Sequence, residues 1–156
     1  MIKAMKDFQI PMRVEVDKDT LSPTFGRFTT EAFERGFGTT VGISLRRVLL
    51  SSLTGAAVTT VKIEGVLHEF STIPGVTEDV TSIILNVKSL RLALQGDKPK
   101  TIRLKKKGPG EAKGSDITHD GDVTILTPDL HIATLDKDAS LDLEMTIKHG
   151  RGFVPA

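Results

Sequence analysis

The stretch that most limits what this chain can fold into is ERGFGTTVGISLRRVLLSSL, Glu34 to Leu53. Its pattern predicts a helix from about Gly36 to Ser52, with Thr54-Gly55 as the stop. At roughly 100° per residue, Phe37, Val41, Leu45, Val48 and Leu49 cover an arc of about 120°. Leu53, Leu50 and Ile43 add a further apolar sector, with Gly42 between the two groups. Only Thr40, Ser44, Arg47 and Ser51 gather into a polar strip. A surface helix needs an apolar stripe a little over about 100° wide, and this one approaches two-thirds of the circumference. The few strands predicted before it can cover one side. Burying the other aliphatic side chains contributes on the order of 1.5–3 kcal/mol each, and leaving them bare makes an adhesive patch. The pattern therefore favours a partner, such as a second copy of the chain, over the alternative that the remaining sequence covers the far side. Arg47 lies in the polar strip, where a guanidinium suits bidentate pairing with another chain's carboxylate. Arg46 falls within the apolar arc and must snorkel outward or meet a buried acid.

The remainder reads as an α+β chain. MRVEV alternates Met12, Val14 and Val16 with Arg13 and Glu15, predicting a half-buried strand. It should pair antiparallel with RFTTEAF across the turn SPTFG. After a boundary near Leu53–Ala56 the texture becomes strand-like in VTTVKIEGVLHEFS. A second helix is expected from about Thr77, with Thr77 as N-cap and Glu78 and Asp79 in the first turn. Val76, Val80, Ile83, Ile84 and Val87 make its single apolar face. LRLAL and TIRLKKK are short strands, KGPGEAKGSD a glycine-rich loop, HDGD a tight turn, and VTIL a strand ending before Pro128. SLDLEMTIK, with Leu141, Leu143, Met145 and Ile147 on one face, is the clearest strand. It is expected to stop at HGRGFVPA, an ending that looks like an interruption. No internal repeat or low-complexity segment is present.

Several kinds of chemistry can be weighed against these residues. No run approaches the roughly 18 apolar residues of a membrane span. The first residues lack a signal-peptide core, and there are no cysteines, so the reading is a cytoplasmic protein without disulfides or thiolate metal sites. Net charge is +1, from 21 basic and 20 acidic residues, which is no nucleic-acid footprint. GFGTTVG invites a phosphate-loop reading. However, its spacing is one residue too long for the dinucleotide fingerprint, and no Lys-Ser/Thr follows for a P-loop. Gly36, Gly38 and Gly42 instead suit a tight entry and close helix packing. SDITHDGD places Asp116, His119, Asp120 and Asp122 close together but has no terminal glutamate for a calcium loop, and H-E-x-x-H is absent. No G-x-S-x-G elbow occurs. The expectation is no catalytic residue, no cofactor and no metal. Gly96 to Gly114 carries seven basic and two acidic residues. It can be read as a charged edge hairpin or, as the alternative function, as a small nucleic-acid-binding module.

A resemblance adds to this reading. FERGFGTTVGISLRRVLLSS matches the pattern LERGFGxTxGxxLRRxLLSS. Together with GAAVTTVKIEGVLHEFSTIPGVTEDVTSIILNVKSL, DITHDGDVTIL and GRGFVPA, in that order, it resembles the amino-terminal domain of the bacterial RNA polymerase α subunit over nearly the whole chain. The resemblance implies a discontinuous dimerisation domain whose first segment is 1–54, interrupted by an inserted α+β domain at 55–156 whose final part is missing. The returning helix and strand are also absent, which implies weakened homodimerisation. The separate DNA-contacting domain is absent too, leaving DNA contact only indirect, through the holoenzyme. It further implies an assembly scaffold that dimerises and docks the β and β′ subunits, with catalysis on those larger chains and the assembly at the nucleoid. On this resemblance Phe37, Val41, Leu45 and Val48 are dimer contacts. Arg47 is the principal docking residue, supported by Arg46, His68, Glu69, Ser71, Asp79 and Lys88.

Overall fold

The computed structural model describes residues 8–152, and the chain divides into two units, residues 1–52 and 53–156. The readings made on the first seven residues and on the last four fall outside the described part. The fold is α+β, with two α-helices and ten strands among the described residues. No helix among them is long and apolar enough to cross a membrane.

Unit 1 holds β1 (Arg13–Val16), β2 (Phe28–Glu31) and α1 (Phe37–Ser51). β1 and β2 pair antiparallel from Arg13 opposite Glu31 to Val16 opposite Phe28, as the sequence predicts. The expected half-burial of β1 does not occur: Met12, Val14 and Val16 are all exposed. Alternation marks a strand with one face ready to be covered, but a two-stranded ladder supplies no second layer. α1 begins after Gly36, whose φ of 84° is a left-handed conformation that disfavours any side chain. It ends at Ser51, with the Ser52 amide donating to the Val48 carbonyl. Thr54 and Gly55 are therefore not its stop; they open the next strand.

Unit 2 comprises β3 (Thr54–Ile63), α2 (Val80–Lys88), β4 (Leu92–Leu94), β5 (Lys100–Lys107), β6 (Gly110–Lys113), β7 (Ile117–Thr118), β8 (Val123–Ile125), β9 (His131–Leu135) and β10 (Ser140–Arg151). Six strands form one sheet in the order β7-β5-β10-β3-β4-β8, and every pairing is antiparallel. β10 is its spine. It pairs with β5 over Ser140–Ile147 and with β3 over Leu143–Arg151, so it runs past His149, where the sequence suggested an end. Leu141, Leu143, Met145 and Ile147 are all buried, as their period of two requires. They form one core with Ile102 and Leu104 of β5, Ile132 and Leu135 of β9, and Val80, Ile83 and Val87 of α2.

Three readings of this unit need correction. The glycine-rich loop at 108–114 contains a strand, β6, which pairs with β9 in a separate two-stranded sheet and buries Ala112. Residues 96–114 are therefore not a hairpin, because β5 and β6 belong to different sheets. β5 is no bare edge either, since β10 lies on one side and β7 pairs with Arg103 and Leu104 on the other. Finally, α2 starts at Val80 with Asp79 as its N-cap, the carboxylate accepting from the Ser82 amide at 2.8 Å. Thr77 instead donates its amide to the Thr134 carbonyl of β9, drawing the segment into a strand-like path.

Acid should weaken unit 2. Asp79, hydrogen-bonded by Ser82, is held below the ordinary carboxylate range. So are Asp116, bonded by Lys106, Asp120, bonded by Lys100, and Asp142, bonded by Arg103. Partial burial pushes Glu78 upward, but hydrogen bonds from Thr134 and His131 outweigh it and leave that group lowered as well. A depressed folded-state value contributes stability above the unfolded pKa of about 4, and loses it as pH falls through the folded value. The urea midpoint is therefore expected to stay level from neutral pH down to roughly pH 5 and to drop steeply below about pH 4. A midpoint unchanged at pH 3 would contradict these carboxylate assignments.

Candidate functional site

Two surfaces gather the residues that the sequence singles out. The first is α1. No residue of this helix is buried: Leu45 is 57% and Val48 52% exposed, and Ile43, Leu49 and Leu50 are exposed as well. Val41 is half-buried. Phe37 is the most engaged, its ring meeting Phe8 edge-on at 4.9 Å and Phe33 at 6.4 Å. The polar strip turns inward on itself, with the Ser44 hydroxyl donating to the Thr40 carbonyl and Ser51 to that of Arg47. These bonds engage the Ser44 and Ser51 hydroxyls within the helix and leave the Arg47 guanidinium as the exposed charge of the strip. Arg46 and Arg47 are exposed, and neither has an ion-pair partner among the described residues. Of the two expectations for Arg46, snorkelling outward fits its exposure, and no buried acid meets it among the described residues, because the arc around it is itself uncovered. An arginine among exposed leucines can lay its stem along them and keep its head in water.

The second surface surrounds the N-terminus of α2. The segment between β3 and α2 has no regular structure, yet it is held closely. The Ser71 hydroxyl donates to the His68 carbonyl at 2.7 Å, the Thr81 hydroxyl to the Glu69 carbonyl at 2.9 Å, and the Val80 amide to the Ser71 carbonyl at 3.1 Å. These bonds use main-chain oxygens and leave the His68 and Glu69 side chains facing outward. Both line a depression of about 270 Å³ with Val61, Ile63, Val66 and Ile84. The structure thus brings His68, Glu69, Ser71 and Asp79 together. Asp79 spends its carboxylate on the helix cap. Lys88 stands apart at the other end of α2, roughly 13 Å along the axis at 1.5 Å per residue. There it borders a depression of about 740 Å³ with Val87, Leu90 and the first residues of β3.

Two residues on this second surface escaped the sequence reading. Leu67 is 99% and Phe70 82% exposed, flanking His68 and Glu69. Two large apolar side chains in a stretch without periodicity were the available signal.

The chemistry weighed from motifs meets simple structural ends. Asp120 and Asp122 both pair with Lys100, Asp116 with Lys106, and His119 sets a ring nitrogen 3.0 Å from the Asp120 carbonyl. The basic run is likewise largely neutralised: Arg103 binds Asp142 through two nitrogens, Lys105 reaches the same carboxylate, and Lys113 pairs with Glu111. Cations already matched by carboxylates are poorly placed to follow a phosphate backbone.

The sequence is similar to known chains over most of its length. It is 55% identical over 156 residues to the DNA-directed RNA polymerase subunit alpha of Geobacter metallireducens, covering 100% of this chain and 46% of that one. It is 60% identical over 144 residues to the subunit alpha of Alkaliphilus oremlandii, covering 92% and 45%. With that of Symbiobacterium thermophilum the identity is 62% over 133 residues, covering 85% and 42%. The chain thus spans a little under half the length of these relatives. Residues 61–156 match the family described as the RNA polymerase Rpb3/RpoA insert domain, and the chain belongs to that family.

Proposed function

We propose that this chain serves DNA-templated transcription as part of a bacterial RNA polymerase α subunit, acting as a scaffold on which the enzyme is assembled. The observation that carries this reading is α1, a helix with no buried residue and with aliphatic side chains around most of its circumference. Phe37, Val41, Leu45 and Val48 meet the equivalent helix of a second α subunit. The β and β′ subunits dock through Arg47, supported by Arg46, and through the surface of His68, Glu69 and Ser71, with Asp79 and Lys88 at the two ends of α2. Residues 1–54 are the first segment of a discontinuous dimerisation domain and 55–156 its insert. The division of the chain near Ser52 and the family match at 61–156 support that partition. Nucleotidyl transfer belongs to the larger subunits, and contact with DNA at the nucleoid is made through the whole enzyme.

Arg47→Ala tests the docking role. Because Arg47 is exposed and unpaired among the described residues, the variant should keep the parent's thermal stability. It should weaken capture of the β subunit by about tenfold or more, the cost of losing a charge-assisted hydrogen-bonded pair at an interface. Equal capture by variant and parent in a pull-down titration would remove Arg47 from the docking surface.

A further inference from the structure

We infer that Glu78 is a positioning residue for docking: its carboxylate fastens the start of α2 to β9 and thereby fixes the His68–Ser71 loop in its presenting shape. This rests on the reading of that loop as a docking surface.

The geometry forms a chain of two links. In the first, Glu78 takes three hydrogen bonds from one strand: the Thr134 amide at 2.6 Å, the Thr134 hydroxyl at 3.1 Å and the His131 Nε2 at 2.8 Å. Its neighbours follow the same strand. The Thr77 amide donates to the Thr134 carbonyl, and the Asp136 amide to that of Gly75. Val76 bridges Leu135. Asn86, further along α2, donates its side-chain amide to the Ile132 carbonyl at 3.0 Å. In the second link, the first turn of α2 holds the loop, through the Val80 amide to Ser71 and the Thr81 hydroxyl to Glu69. A shift of that turn must therefore carry Glu69 and Ser71 with it.

Glu78 itself is half-buried, and it faces β9 rather than the outer surface where His68 and Glu69 stand. A partner that reads the loop need not touch it. Its contribution is preorganisation: a loop without regular structure loses conformational freedom on binding unless something has already fixed it. The sequence alone assigns Glu78 to the helix dipole. In the structure it lies ahead of the N-cap and is engaged sideways by the neighbouring strand.

The experiment uses the intact subunit and the purified β subunit from the same source, with capture titrated for four variants. His68→Ala/Glu69→Ala reports direct contact. Glu78→Ala and Thr81→Val cut the first and second links, and Glu78→Gln keeps an oxygen for the Thr134 amide. Amide exchange is followed without partner at 69–72 and 80–82, with Leu104 and Leu143 as core reporters. The expected result is capture weakened about tenfold by Glu78→Ala and less by Glu78→Gln, since one accepting oxygen survives. Thr81→Val should weaken capture as well. Exchange should rise at the loop and first turn and stay level at the core. If the His68/Glu69 variant captures as well as the parent, the docking reading falls and the inference with it. If that variant loses capture while Glu78→Ala and Thr81→Val keep it, the inference alone is overturned. Exchange rising equally at the core would also overturn it, because Glu78 would then act only through global stability. Should Glu78→Ala fail to fold, Thr81→Val decides.

Discussion

The Leu45→Glu/Val48→Glu double variant is expected to leave the chain folded and to abolish the self-association of the intact subunit proposed above. The two halves of this expectation have one cause. Both side chains are more than half exposed in the single chain, so replacing them removes little packing, and the unfolding free energy should change by no more than about 0.5 kcal/mol per site. In a dimer built on α1 the same positions would be dry. Two carboxylates placed there without partners would raise the dissociation constant by at least about 100-fold, given the cost of burying unpaired charge. Sedimentation velocity across a concentration series checks the second half, and urea unfolding the first. A variant that still dimerises with the parent's affinity would show that α1 is not the interface.

Leu143→Ala should have the opposite profile, destroying stability and leaving α1 untouched. Leu143 is 0% exposed and sits mid-strand in β10, opposite Leu104 on one side and Ile63 on the other. A cavity at such a site costs about 2–5 kcal/mol, because close-packed neighbours relax only in part. That is a large share of the roughly 5–15 kcal/mol that holds a typical domain together. The variant's urea midpoint for unit 2 should fall markedly, with loss of β signal in circular dichroism. A shift below about 1 kcal/mol would mean that the spine of the sheet is less tightly packed than its burial indicates.

The contrast between these two sites shows what was legible beforehand. β10 could be read because its period of two coincides with real burial on one face. The breadth of α1's apolar arc could be read from the period of 3.6 alone, although no residue of that helix is buried. β9 could not. HIATL is short, follows Pro128 and Asp129, and mixes His131 and Thr134 with small Ala133; it is buried because α2 and β6 close over it. Gly110 hid β6 by resembling turn punctuation, although Ala112 two residues later is fully enclosed. β1 erred the other way, its alternation promising a cover that no described layer provides. At the second surface the residues of the loop were identifiable, but their arrangement depends on Glu78 reaching across to His131 and Thr134, more than fifty positions away. Local preference places an acid near a helix start; only the fold decides what it holds.

The ladder between β3 and β10 has one more consequence. Arg151 stands directly opposite Thr54 across an antiparallel pair, so their Cα atoms are separated by only about 5 Å. The last described strand of the second unit therefore ends beside the residue at which its first strand begins. On the proposed reading of 55–156 as an insert, roughly a hundred residues would join their host at what is geometrically a single doorway, much as a hairpin would. The loop of His68 and Glu69 lies at the other end of β3, beside the start of α2, so its side chains can change at a distance from that threshold.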